Sequence, residues 1–316
     1  MLKLLVRRLL QAVVVAFGVL IITFVLVHML PGGPARAALG SKATASAIAA
    51  FNRDNGLDQP IYTQFAVYVG HAVQGNLGFS YDQNEPVSQL IGQRLPKDVL
   101  LIGLAYIVTL AVAIPVGIAQ AARRNGLTDH VVTIFAFLFY SMPAFLLAIL
   151  LIDVFAVRLH LLPPGAPQSD SLVAILQSPQ GLVLPVLTLA LITIAQFSRY
   201  VRASGIEALT ADYVRTARSK GLPERRVLAR HLVRNSLLPV ITLVGLSLPF
   251  AVAGAVIIEY IFNYPGMGLL FFTAATDQDY PVLLGVTLIV GLATTAGNLL
   301  ADIAYNIADP RIRVAT

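Results

Sequence analysis

The chain has 316 residues, of which 57% are hydrophobic and 12% charged, with a mean hydropathy of +0.78 and a formal charge of +6. Soluble domains carry about 25% charged residues, so this composition excludes a soluble globular enzyme. Cysteine is absent, which excludes a disulfide framework, cysteine-ligated zinc and thiol chemistry.

Six stretches free of Asp, Glu, Lys and Arg follow in order: 9–35, 99–122, 131–152, 171–198, 235–258 and 280–301. Each reaches the roughly 20 residues that a helix needs to cross a hydrocarbon layer. Lipid cannot satisfy backbone polar groups, which leaves helices or a closed barrel, and these runs lack the alternation of barrel strands. The expected fold is therefore an all-α membrane protein with six transmembrane helices. With the amino terminus inside, only Arg36, Lys42, Arg53, Arg94, Lys97 and Arg158 of the 22 basic residues lie outside. That asymmetry puts both termini in the cytoplasm and explains the basic charge as topology with some lipid contact, not nucleic-acid binding.

Residues 1–30 form the first transmembrane helix. Despite the small residues around Arg36, the apolar run exceeds the 7–15 residues or so of a signal-peptide core, so it reads as an uncleaved anchor. Residues 31–96 form an extracytoplasmic region with short helices. Asn55-Gly56 marks a turn, Asp58-Gln59-Pro60 a helix start, and Ile61, Phe65, Tyr68, Ala72 and Val73 follow helical spacing up to a stop at Gly75. That stripe fits packing on the outer rim of a bundle. Residues 97–306 hold the remaining spans, with Pro115, Pro143, Pro185 and Pro249 interrupting several of them.

Between spans four and five lies a long basic segment, 207–235. Span four is predicted to continue past Arg199 and Arg202 to about Leu209. A second stretch runs from Ala211 to Lys220, with Gly221 placed for a left-handed cap. Pro223 then opens a further helix, with Glu224 near its positive end and Arg225, Arg226, Arg230, His231 and Arg234 along it. The plain alternative is a basic patch resting on lipid. Further on, Asn263-Tyr264-Pro265-Gly266 predicts a tight turn in a re-entrant excursion over 259–281. Residues 307–316 form a cytoplasmic tail.

The 207–242 segment resembles the cytoplasmic signature of binding-protein-dependent ABC importer permeases, nearest the oligopeptide/dipeptide/nickel branch. Matching positions are Arg215, Thr216, Ala217, Arg218, Gly221, Leu222, Pro223, Arg225, Arg226, Val227, His231, Arg234, Asn235 and Pro239. Arg215 stands where the wider superfamily prefers Glu, as is typical of the peptide branch. Arg7-Arg8-Leu9-Leu10, Leu30–Pro34, Gly56–Pro60, Gly75–Gly78, Arg94–Pro96, Glu259–Gly268, Asp279–Pro281 and Asp309–Arg313 resemble the branch in order and spacing. The opening is similar to the first permease of the usual pair.

The resemblance implies a type I ABC importer permease fold in the bacterial cytoplasmic membrane, with 207–235 as the segment that couples to ATPases. It further implies a second homologous permease, two ATPase subunits and an extracytoplasmic solute-binding protein as partners, carrying peptides or related small solutes. ATP and Mg would sit on the partner ATPases. Consistently, Lys3, Lys42, Lys97 and Lys220 are the only lysines and none follows a glycine, so the chain has no phosphate-binding loop, binds no cofactor by this reading and is no enzyme by itself.

The rival reading is a proton-coupled carrier using Asp153, Glu259 and Asp302. All three lie near predicted span ends, where snorkelling or capping accounts for them. Asp153 and Asp302 without a glycine-rich motif do not make an intramembrane protease, and His28, His71 and His160 show no metal spacing.

Overall fold

Helix formation follows the apolar runs, and its breaks follow proline and glycine. The computed structural model describes residues 2–29, 33–40, 42–169, 171–223, 226, 240, 243–245, 247 and 254–308. Helix α1 (Leu2–His28) stops short of Pro31-Gly32-Gly33-Pro34, and α2 (Gly33–Leu39) is a separate helix. The first span therefore ends before residue 35, because proline offers no N–H to continue it. Helix α3 (Ala45–Asp54) starts at Thr44, whose Oγ1 accepts from the Ala47 N–H at 3.3 Å. Both α2 and α3 fall in the region expected to hold short helices, although the sequence pattern does not position either one. Helix α4 (Ile61–Val73) matches its predicted stripe, with Gly56 and Gly75 at positive φ on either side of it.

The second apolar run is the inner part of a longer helix, α5 (Val87–Ala122), which contains Pro96 and Pro115. The third is bent. Helix α6 (Leu127–Ser141) meets α7 (Ala144–Leu151) at 106° across Met142-Pro143, and α7 runs on into a π turn, Ile152–Arg158. The fourth is cut: α8 (Leu172–Gln177) is separated by Ser178-Pro179 from α9 (Gln180–Thr210), so the span begins at 180 and not 171. Helix α9 runs past Arg199 and Arg202 to Thr210, as expected. A short amphipathic helix follows, α10 (Asp212–Ser219). The fifth predicted span, 235–258, lies almost wholly outside the described residues. Helices α11 (Val256–Phe262) and α12 (Met267–Thr276) then meet at 86°, and α13 (Tyr280–Ala308) closes the chain.

Among the described residues, α5, α9 and the Tyr280–Leu300 part of α13 are each long and apolar enough to cross a membrane. Counting each bent pair as one span raises the number to five. Side chains such as Val14, Ile22, Ile134 and Phe137 are exposed on the isolated chain, an arrangement suited to lipid or a partner subunit.

Two packing features position everything else. Helices α5 and α9 lie against each other along their length, with Gly117 at a point of close approach. A Cβ there would stand 2.6 Å from Val201 Cβ and 2.8 Å from the Ser198 carbonyl oxygen. Small residues permit this backbone proximity in membrane bundles. Helix α1 packs on α13, and α4 rests on α1: the Phe65 ring stands edge-on to Phe17 and Phe24, with centroids at 5.4 and 5.3 Å, and His28 Nε2 bonds Gln64 Oε1 at 3.0 Å. Rim packing is thus what α4 does.

Candidate functional site

The cytoplasmic-type segment folds into a defined elbow. Ala211 is extended (φ −69°, ψ 147°) and breaks α9 from α10. Asp212 sits in the first turn of α10 and Arg218 in its last, each favourable with the helix dipole. Gly221 adopts φ +76°. Its N–H donates to the Arg218 carbonyl at 2.9 Å, and the Leu222 N–H to the Ala217 carbonyl at 3.2 Å. These two bonds form a Schellman cap, completed by Leu222 packing on buried Val214 and Ala217.

Of the residues singled out from sequence, Arg215, Thr216, Arg218, Gly221, Pro223 and Arg226 are exposed on this elbow. Ala217 faces inward and Leu222 is half-buried, so these two hold the shape that the others display. The Arg226 N–H donates to the Pro223 carbonyl at 2.8 Å, a turn opening just after the cap. Arg225, Val227, His231, Arg234, Asn235 and Pro239 lie outside the described residues.

At the other end of α5 a second constellation surrounds the 263–268 turn. Asn263 is left-handed (φ 50°) and ends α11. Helix α12 begins at Gly266 with no cap of its own, and acids from elsewhere satisfy its first N–H groups. Asp98 Oδ2 accepts from Met267 at 2.9 Å, and Glu259 Oε2 from Leu269 at 2.8 Å. Glu259 Oε1 also accepts from Ala255 at 2.5 Å, and the Tyr264 hydroxyl donates to the Lys97 carbonyl at 2.6 Å. Lys97, Asp98 and Glu259 are all fully buried. Glycine is required here: a Cβ on Gly266 would run into Asp98 Oδ1 and Glu259 Oε2. One on Gly268 would lie 2.8 Å from Val256 Cα and 2.9 Å from Glu259 Oε1.

The connection between α12 and α13 meets the loop before α5. Ser80 Oγ donates to Asp279 Oδ2 at 2.5 Å and the Asp82 N–H to the same oxygen at 3.3 Å, while Pro281 fits against Gly78 (φ +92°). Burial, and then the Asp279 charge, push the Tyr81 phenol above its ordinary range. A cavity of about 530 Å³ opens beside this contact, walled by α1, α4 and the first turn of α13.

Two of the three acids of the carrier reading have separate structural partners. Asp153 pairs with Arg158 at 2.8 Å on the surface, Glu259 serves as a helix cap, and the Asp302 side chain lies outside the described residues. Among the described residues no group of three or more metal-ligating side chains is present. Sequence reasoning passed over Asp98 and the Asp129–Arg202 pair. Asp98 hides in a short charged cluster with Arg94 and Lys97, and Arg202 reads as one more juxtamembrane cation.

Residues 113–314 match the family described as binding-protein-dependent transport system inner membrane component, and residues 1–102 match the corresponding amino-terminal family. A Brucella ovis protein named as a candidate peptide permease is 40% identical over 320 residues, spanning 99% of this chain and all of that relative. The oligopeptide transport system permease protein AppB of Bacillus subtilis is 38% identical, with 97% of this chain and 98% of AppB covered. The glutathione transport system permease protein GsiC of Escherichia coli K12 is 37% identical, with 99% of each chain covered.

Proposed function

The chain belongs to the binding-protein-dependent transport system inner membrane component family, and from that premise we infer that it is the permease subunit of an ABC importer for peptides or related solutes. One observation carries the mechanical part of the reading. The capped elbow at 211–223 hangs directly from α9, a helix that crosses the hydrophobic core, so force on the elbow acts on a membrane span. Its exposed Arg215, Thr216, Arg218, Gly221 and Pro223 form the docking face for an ATPase, with Leu222 and Ala217 beneath. By the sequence resemblance, Arg225, Arg226, Val227, His231 and Asn235 extend that face; of these, Arg226 alone lies among the described residues.

Two ATPase subunits, holding ATP and Mg, supply the energy; a second homologous permease completes the pore, and an extracytoplasmic binding protein delivers solute. Nucleotide-driven closure shifts the bundle between inward-open and outward-open populations, by differential binding to the two states. The printed names of the relatives support peptides, oligopeptides and glutathione as the solute class.

The polar contacts sort into two sides, which supports α5 as a span; six spans with both termini cytoplasmic remain our reading of the charge asymmetry. Gln120, Asp129 and Arg202 cluster at the elbow's end of α5. Ser80, Asp98, Gly266 and Asp279 cluster at the other. Along α5, Asp98 and Gln120 stand about 33 Å apart at the rise of an α-helix, close to the bilayer thickness of roughly 30 Å. On this reading residues 31–96 are extracytoplasmic, 97–306 form the translocating core and 307–316 a cytoplasmic tail.

The test is co-purification. Changing Arg225→Glu and Arg226→Glu together should strip the ATPase subunits from the tagged permease while its membrane yield stays normal. A normal yield of complex would instead mark the segment as a lipid-facing patch.

A further inference from the structure

Three elements meet at one buried carboxylate on the elbow's side of the bundle. Arg202 of α9 donates from Nε to Asp129 Oδ1 at 2.6 Å and from Nη2 to Oδ2 at 2.7 Å, a two-pronged pair that fixes orientation as well as distance. Gln120 of α5 donates from Nε2 to the same Oδ1 at 3.3 Å and to Thr133 Oγ1 at 3.2 Å. The Asn125 N–H, in the connection between α5 and α6, donates to Oδ2 at 3.0 Å. The Asp129 side chain is 3% exposed and that of Arg202 30%. One turn further along α5, Gly117 sits on Val201, so the helices are in backbone contact at the same level.

We propose that Asp129, Arg202 and Gln120 form a positioning joint that makes α5, α6 and the α9–α10 elbow move as one body when the ATPase pulls. The inference rests on the coupling role given above to the elbow. A buried ion pair is weak evidence of stability, because desolvation offsets attraction. Its directional bonds nevertheless fix the relative placement of three elements, and α9 continues from Arg202 to Thr210 without a break, one residue before α10. Helix α5 then extends the body across the membrane to Asp98, which holds the first turn of α12. Movement at the elbow therefore reaches the opposite face through a single helix.

The experiment uses the assembled importer in vesicles, with spin labels at His130→Cys on α6 and Ser219→Cys on α10. Both sites are exposed, and the chain has no other cysteine. The distance is measured in the nucleotide-free state and in the ATP plus vanadate-trapped state. The joint requires the same narrow distance in both states. Asp129→Asn should make it state-dependent, shifting by roughly 5 Å, one helical turn, with ATP hydrolysis still within about twofold of the parent. Restoration by Asp129→Glu, which returns the carboxylate, supports the joint over general loosening.

A second variant, Gln120→Met, removes one donor at similar size. With labels at Arg123→Cys and Ser219→Cys it should free α5 alone. Unchanged distances in both Asp129→Asn and Gln120→Met would overturn the joint. The elbow's own movement relative to the ATPase, seen with one label on each, reports separately on the importer reading.

Discussion

Gly221 offers the cleanest perturbation, because its role can be separated from packing. Its φ of +76° lies in the left-handed region, and nothing stands within 4 Å of where a Cβ would be. The cost of a side chain is therefore purely conformational. A left-handed conformation costs an L-residue about 1–2 kcal/mol, asparagine less, and a β-branched residue most. The Schellman bonds from Gly221 and Leu222 close only in that conformation, so the whole cost falls on the capped state. A penalty of 1–2 kcal/mol lowers the capped population about 5- to 30-fold relative to its alternatives. The order of damage should be Gly221→Asn least, Gly221→Ala intermediate and Gly221→Val greatest.

The assay is peptide uptake per ATP hydrolysed in vesicles containing the full complex, with co-purification scored in parallel. Gly221→Val should lower uptake at least about fivefold while the complex still assembles, and Gly221→Asn should stay within about twofold of the parent. Equal effects of Asn and Val would refute the conformational argument, since both add a side chain to the same open space. Parent-like uptake by Gly221→Val would refute any coupling role for the cap.

Two further outcomes follow from the end of α5 opposite the elbow. Gly266→Ala pushes a methyl group into the Asp98 and Glu259 carboxylates. It should destabilise the protein by about 1–3 kcal/mol or more, read as a lowered thermal midpoint in detergent. Ser80→Ala removes a bond to the Asp279 carboxylate and should cost about 1.5–3 kcal/mol locally, visible as faster proteolysis within residues 74–86.

Much of the design is legible in the sequence because it is local. Gly221 and Pro223 announce the elbow, Asn263–Gly266 the tight turn, and Ile61–Val73 a helix on the rim, each from a few adjacent residues. The breaks are legible only in part. Ser178-Pro179 ends α8 although the apolar run continues through it, whereas Pro96 and Pro115 are accommodated inside α5, and composition does not distinguish the two cases. The polar joints are not legible at all. Arg202 finds Asp129 across 73 residues, Met267 finds Asp98 across 169, and Ser80 finds Asp279 across 199. Each side chain taken alone reads as an ordinary surface charge or loop hydroxyl. Only the packing of α6 on α9, of α5 on the start of α12, and of the loop before α5 on the connection before α13 brings them together.

The borrowed cap of α12 has a consequence for how the protein is made. Ribosomes elongate at about 5–20 residues per second, so Asp98 enters the membrane roughly ten to thirty seconds before Met267 exists to receive it. Throughout that interval an acid destined for the dry interior has no helix end to neutralise it, and the insertion machinery must shelter it in water or against itself. The last third of the polypeptide therefore completes the first, and nascent chains truncated before residue 267 should be the forms that quality-control proteases remove.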